Sequence, residues 1–495
     1  MVSSVPTANS VFVGLDLGTS GLKGVVIDSL GTVIASARFD YPSHRPAIGA
    51  SEQDPNDWVQ AIVKVIGDLS TTIPATQWSG IGLSAMIPTM VITDSQGEPV
   101  HRAITWEDAR AQVLGDHVRE RVGAKSVYEK TGQWLDGRYL LPMFARVAAD
   151  LPETQLYLLG AKDWILHWLT GEFATDPATA TGTGAYELSS QSYSSTIAAA
   201  AAELAGRSLP TLAPVTESTH IYRLTHQRAR ELELPIDLPI AVGAADAVAA
   251  ILGLGVHTPG DVVYLAGTST VIVGIDERAH FDVSQRFLVT PLALDGYGHE
   301  MDLLATGSAI AWLTDLLGLD SPDELTTLAR TVAPDHDGLP TMLGYVAPGE
   351  QGALWDPALT GIIEGMTLHT SASDIARALL TSITLESARC IDVWDENSTT
   401  RGVIHVAGRG ISSDALQELA DATGRKTHAC GLVETPHSAV GAALIVAAAL
   451  GVSPLPIHHR DDSEMTPRPE AAAVWNQLHQ RHEDLRARTS AHTQN

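Results

Sequence analysis

The sequence predicts an α/β protein of two similar lobes, and three observations predict it. A Gly-Thr-Ser turn between apolar runs, followed by an aspartate, occurs twice, starting at positions 18 and 267, about half a chain apart. Stretches patterned as strands are interleaved with stretches patterned as helices. At 495 residues and 44% apolar content, the chain is long enough for two or three domains with large cores.

The first turn lies in GLDLGTSGLKG, residues 14–24. Val11, Phe12 and Val13 lead in, Asp16 follows, and Val25, Val26 and Ile27 lead out to Asp28. This is two strands joined by the turn Gly18-Thr19-Ser20-Gly21. Backbone N–H groups, two hydroxyls and Lys23 are the groups that surround a phosphate. A Walker A loop is excluded, because Lys23 lacks both the preceding glycine and the following Ser or Thr. In the second copy Gly267, Thr268 and Ser269 separate Val262–Leu265-type strand residues from Val271, Ile272 and Val273, with Asp276 beyond. One such turn is an ordinary hairpin. Two in the same context suggest lobes that each present a phosphate-binding hairpin to a shared cleft.

The remaining elements follow in order. Gly31 turns the chain into a third antiparallel strand, 32–37. An irregular loop, 41–56, ends in SEQDPN. Asp54-Pro55 then starts a helix with Trp58, Ile62 and Ile66 on its apolar face. GIGLSAMIPTMVITD, 80–94, reads as strand, polar kink and strand, with Pro88 breaking the pattern. TWEDAR places Trp106, two acids and Arg110 together. It suits a solvated helix start, and equally a polyol pocket in which an indole covers C–H groups and carboxylates bind hydroxyls. Residues 156–170 form an amphipathic helix with Trp164 and Trp168 one turn apart. In PIAVGAADAVAAILG a strand leads to a helix opening near Asp246. That acid among small apolar residues is either a helix cap or a general base with room for a substrate hydroxyl. A domain boundary is expected near 255. ATGSAIAWLTDLLG is a small-residue turn, with Gly307, entering a helix. A long helix is expected over 373–395, around Leu379, Ile383 and Glu386. GVIHVAGRGISSDALQELADATG reads as strand, turn and helix, and Gly408 and Gly410 would let a nucleotide approach the backbone. Ser413 stands where a dinucleotide fingerprint needs its third glycine, so a dehydrogenase reading is disfavoured. The helix 440–450 is expected to close the second lobe, and 471–486 to be a surface helix.

The formal net charge of −27 argues against nucleic acid and anionic membranes as partners. The longest apolar stretch, 439–452, is shorter than the ~18–20 residues of a membrane span. Residues 1–10 look disordered, with neither a basic stretch nor a long apolar core, so no signal peptide is expected. Cys390 and Cys430 lack metal spacing and are too few for a disulfide framework, so a cytoplasmic protein is expected.

These motifs together resemble the FGGY family of carbohydrate kinases, within the actin-like ATPase superfamily, over roughly residues 10–450. GLDLGTSGLKG, SEQDP with Trp58, TWEDAR, AKDW with LTGEFATD, VGAADAVAA, YLAGTST, LWDPALTGIIEGMTL, VAGRGISSDALQELAD and SAVGAAL carry the resemblance. SEQDP and Ala161-Lys162-Asp163 are most similar to the family's xylulokinases. The resemblance implies two ribonuclease-H-like domains, each a mixed five-stranded sheet flanked by helices, with a deep cleft between them. They would be a sugar-binding domain, 11–254, and an ATP-binding domain, 255–452, followed by a tail, 453–495. It implies ATP as phosphoryl donor with Mg²⁺ near Asp16, and Asp246 as catalytic base. Gly18, Thr19, Ser20, Lys23, Gly267, Thr268, Ser269 and Gly307 would lie near phosphates. Gly408 and Gly410 match the adenosine side, and Trp106 and Asp108 the sugar side. One departure stands out: Ile87-Pro88 occupies the usual Met-His position, removing a hydrogen-bonding side chain from the sugar site. D-xylulose is the expected acceptor, with another ketopentose, a polyol or gluconate as alternatives. A non-enzymatic actin-like sugar-binding or assembly protein is the competing class, and the retained Asp246 argues against it. Dimers are common among the relatives, so a homodimer is compatible, but no stretch marks an interface.

Overall fold

The computed structural model describes residues 10–347, 352, 354, 359–408, 411–430, 435–452 and 463–493. Gly410, residues 1–9, the WDPA segment at 355–358 and part of the tail, 453–462, lie outside the described residues. The chain divides into two compact units. The first comprises Met1–Val256, Val289–Tyr297 and Pro436–His458, and the second His257–Leu288, Gly298–Thr435 and His459–Asn495.

In the first unit, β1 (Val11–Leu17), β2 (Gly21–Ile27) and β3 (Val33–Asp40) form the expected antiparallel meander. Helix α1 (Pro55–Thr72) is capped by Asp54, whose carboxylate accepts from the Asn56 N–H at 2.9 Å. It buries Trp58, Ile62 and Ile66 against this meander. Strand β4 (Trp78–Ala85) lies parallel to β1, and β5 (Pro239–Ala245) parallel to β4. These are the five expected strands, and Ile221–Arg223 adds a sixth at the edge. Beyond the kink at Pro88 the chain leaves this sheet. Met90–Thr93 joins a second, five-stranded sheet that also holds Glu52–Gln53 and Ala103–Ile104. The pairing of those two short strands sets SEQDP beside TWEDAR. Helix α2 (Asp246–Gly253) starts where β5 ends.

Helix His437–Ala449 corrects one expectation. It packs in the first unit, on β1, β4 and α2, rather than closing the second lobe. The reason lies in the glycines beneath it. A Cβ at Gly14 would sit 1.8 Å from the Ala439 carbonyl oxygen, and one at Gly82 1.8 Å from that of Ala442. Their absence lets the helix backbone rest directly on the strands. The helix is buried on every side, which accounts for its apolar composition all round.

The second unit repeats the hairpin. β6 (Val262–Ala266) pairs antiparallel with β7 (Thr270–Asp276), and β8 (Tyr297–Leu303) follows β7 in the sheet. Helix α3 (Gly307–Leu317) comes next. Helix α4 (Ala372–Asn397) is the expected long helix, opened by a Ser371/Asp374 capping box. β9 (Ile404–Gly408) lies parallel to β6, and β10 (Thr427–Ala429) parallel to β9. Helix Ala472–Thr493 lies at the surface, as expected, and buries one face. Trp475, His482 and Leu485 are each at most 3% exposed. His482 and Arg486 pair with Glu386 of α4, which also accepts from the Tyr345 hydroxyl at 2.5 Å and from Arg389. Among the described residues no helix is long and apolar enough to cross a membrane.

Candidate functional site

The first unit collects most of the expected site residues at the carboxyl ends of β1, β4 and β5, where open α/β sheets place ligands. In β1, Asp16 pairs in register with Lys23 of β2 and Ser84 of β4, and Ala244 of β5 pairs with Ser84 in turn. Asp16 is buried, and its Oδ1 accepts from the Ser84 hydroxyl at 3.1 Å. Burial pushes its carboxyl upward, against the opposing pull of the Lys23 charge and the Ser84 hydrogen bond.

Asp246 is the first residue of α2 and is half-buried. Its Oδ1 accepts the Ala247 N–H at 2.9 Å. Its carboxyl is pushed up to about 7, by burial first and by the charge of Asp16 second, with Lys23 pulling the other way. An ordinary capping aspartate has no reason to sit in such a field. A carboxylate titrating near neutrality is suited to taking a proton.

The hairpin turn is held from three sides. The Gly18 N–H donates to the Gly21 carbonyl at 3.1 Å. The Tyr41 hydroxyl donates to the Gly18 carbonyl at 2.5 Å, and Gln53 Nε2 to the Thr19 carbonyl at 2.7 Å. Gln53 is held in turn by the indole N–H of Trp58 at 2.9 Å. Trp106 Nε1 donates to Thr19 Oγ1 at 3.1 Å, so the aromatic of TWEDAR meets the hairpin directly. Ser20 is exposed at the tip and accepts from Arg38 at 3.2 Å.

Asp108 turns away from this group. Its Oδ2 accepts the Ser51 N–H at 2.9 Å, both its oxygens accept from Arg110 Nε, and Arg110 continues to Glu52 at 2.7 Å. It fixes the TWEDAR segment against SEQDP and offers little to a ligand. Ile87 and Pro88 are half-buried, and Ile87 packs against the apolar cluster that includes Ala244, Ala245 and Val248. Neither side chain has a hydrogen-bonding group. Lys162 forms a fully buried triad with Asp163 at 2.8 Å and Asp176 at 3.1 Å. These conspicuous charges brace two helix starts.

In the second unit three glycines converge. Gly408 has φ +129°, and a Cβ there would lie 2.0 Å from the Ala266 carbonyl oxygen, just before Gly267. The Gly307 N–H donates to the Gly267 carbonyl at 3.2 Å, and the Ser308 N–H to that of Thr268 at 3.0 Å. The Thr270 and Thr306 hydroxyls lie 2.8 Å apart and pin the same junction. Gly267, Thr268, Gly307 and Gly408 therefore share one end of the sheet.

Ser84, Gln53 and Tyr41 were missed by sequence reasoning. Ser84 had a signal, as a polar residue near the end of a largely apolar strand. Gln53 lay within SEQDP with no role attached, and Tyr41 gave no sign.

The chain matches the N-terminal domain of the FGGY family of carbohydrate kinases over residues 11–253 and its C-terminal domain over residues 262–450. The chain belongs to the FGGY family of carbohydrate kinases. It is 27% identical over 483 residues to a xylulose kinase of Lactococcus lactis, covering 94% of each chain. It is 29% identical over 461 residues to a glycerol kinase of Alkalilimnicola ehrlichii, covering 89% of this chain and 90% of that one. A crystal structure of ligand-bound xylulose kinase from Lactobacillus acidophilus superposes with a TM-score of 0.88 at 22% identity, covering 97% and 99% of the two chains. This FGGY kinase thus has the two-domain α/β fold of its relatives, and the reaction class is phosphoryl transfer to a carbohydrate.

Proposed function

We propose that this FGGY kinase transfers the γ-phosphoryl group of ATP to a hydroxyl of D-xylulose, giving D-xylulose 5-phosphate, with Asp246 as the base. The observation that carries the reading is the Asp246 carboxyl, raised to about 7 beside Asp16 and Lys23. Phosphoryl transfer depends mainly on positioning and charge neutralisation. Asp246 would accept the hydroxyl proton as the oxygen attacks. Lys23 and the N–H and hydroxyl groups of Gly18, Thr19 and Ser20 would steady the transferred phosphoryl group. Gly267, Thr268, Ser269 and Gly307 would bind nucleotide phosphates, and Gly408 and Gly410 the adenosine side. Trp106, held by Thr19, would cover sugar C–H groups, while Asp108 positions that segment. Asp16 is a hard oxygen donor suited to Mg²⁺, which when bound supplies neutralisation of phosphate charge.

The acceptor rests on the xylulose kinase relatives, and glycerol kinases of similar identity keep polyols in view. Ile87-Pro88 favours an acceptor that demands no hydrogen bond at that point. Coupled ADP release across D-xylulose, other ketopentoses, glycerol and gluconate tests the assignment. The highest kcat/KM is expected for D-xylulose. A higher value for another acceptor replaces the substrate, and the absence of acceptor-dependent release for all of them overturns the reading.

A further inference from the structure

The second unit holds a cluster that the kinase reaction does not use. His405 of β9 and His428 of β10 are register partners on adjacent parallel strands. Cys430, two residues after His428, stands on the same side. The Cys430 sulfur lies 3.5 Å from His405 Nδ1 and 3.6 Å from His428 Nδ1. One ligand atom from each residue falls within 4.8 Å of the others. His405 Nε2 lies 3.0 Å from Asp261 Oδ2, and Asp261 Oδ1 is anchored by the Val403 N–H at 2.8 Å. That pairing keeps the proton on Nε2 and turns the Nδ1 lone pair toward the sulfur.

We infer that His405, His428 and Cys430 form a binding site for a thiophilic divalent cation of the Zn²⁺ class. With Zn–S of about 2.3 Å and Zn–N of about 2.0–2.1 Å, tetrahedral geometry separates sulfur from nitrogen by about 3.6 Å. Both observed S···N separations match that spacing. Two imidazoles and a thiolate select zinc-like ions over Mg²⁺. Asp261 supplies the carboxylate that orients a ligating histidine. On binding, the Cys430 thiol releases its proton to solvent, the thiolate and the two imidazoles donate to the ion, and water serves as fourth donor. His405 lies 25 positions before Cys430, so no short sequence motif holds all three donors.

Full-length protein, stripped of metal by chelation under reducing conditions, is titrated with Co²⁺. A thiolate-to-cobalt charge-transfer band and tetrahedral d–d bands should saturate at one equivalent and bleach with Zn²⁺. Cys430→Ser should abolish the charge-transfer band, Cys390→Ser should keep it, and Asp261→Asn should weaken affinity about 10–100-fold. X-ray absorption of the wild-type zinc form, which depends on no variant, should show one sulfur and at least two nitrogens around zinc. A wild-type chain with no charge-transfer band, a band that survives Cys430→Ser, or a zinc shell without sulfur each overturns the proposal.

Discussion

Replacing Asp246 by Asn separates a catalytic acid from a structural one. Asparagine keeps the shape and can still accept the Ala247 N–H, so the start of α2 is preserved. What disappears is a carboxylate whose pKa rises from 3.8 to about 7 on folding. The raised value means that the folded state binds the extra proton between those two pH values. Wild-type stability from this group is therefore greatest below the lower pKa and is lost as pH rises through the folded one. A shift of that size corresponds to about 4 kcal/mol, reduced to about 2–4 kcal/mol by partial hydration of a half-buried side chain. The Asn variant should gain little at pH 4 and about 2–4 kcal/mol at pH 8. Its kcat/KM should fall about 10²–10⁴-fold. The acid limb of the wild-type kcat/KM profile should report an apparent pKa near 7, and the variant should lack it. Urea unfolding at the two pH values and coupled ADP release measure both effects. A variant with wild-type turnover, whose stability differs from wild type by the same amount at both pH values, refutes the reasoning, because Asp246 would then be an ordinary helix-start residue.

Four further outcomes follow from the packing. Gly307→Ala sets a Cβ 2.3 Å from the Gly267 carbonyl oxygen, so the second hairpin must shift, and KM for ATP should rise several-fold while KM for the sugar holds. Gly82→Ala drives a Cβ into the Ala442 carbonyl and should cost more than about 3 kcal/mol, read by thermal unfolding. Glu386→Ala leaves Arg389 buried without its partner and should cost about 3–5 kcal/mol. Burial works to raise the Glu386 carboxyl, but Arg389, His482 and Tyr345 outweigh it and hold it below its ordinary 4.5, so its contribution is present above that pH and lost as pH falls through the lowered value. Pro88→His restores a hydrogen-bonding side chain, and the ratio of kcat/KM between D-xylulose and glycerol should change at least several-fold if this position reads the acceptor.

Much of the local structure was legible because its determinants are local. The Gly-Thr-Ser hairpins, the Asp54 cap and the long helix around Glu386 follow from turn chemistry, capping and periodicity over short windows. Asp246 was legible by its isolation among small residues. The parts that were not legible depend on partners far away in the chain. Helix His437–Ala449 reads as an apolar helix closing the second lobe, whereas Gly14 and Gly82, hundreds of residues earlier, decide which sheet it rests on. Asp108 and Trp106 are two residues apart yet face different partners, because Ser51 and Arg110 claim the acid while Thr19 claims the indole. The pairing of His405 with His428 exists only through the register of two parallel strands.

The most direct measurement is of the product itself: mass spectrometry after incubating the full-length chain with ATP, Mg²⁺ and D-xylulose. The account predicts a monophosphate ester on the terminal hydroxyl of the sugar, formed one for one with ADP. ADP accompanied only by free inorganic phosphate, with the sugar unchanged, would contradict it.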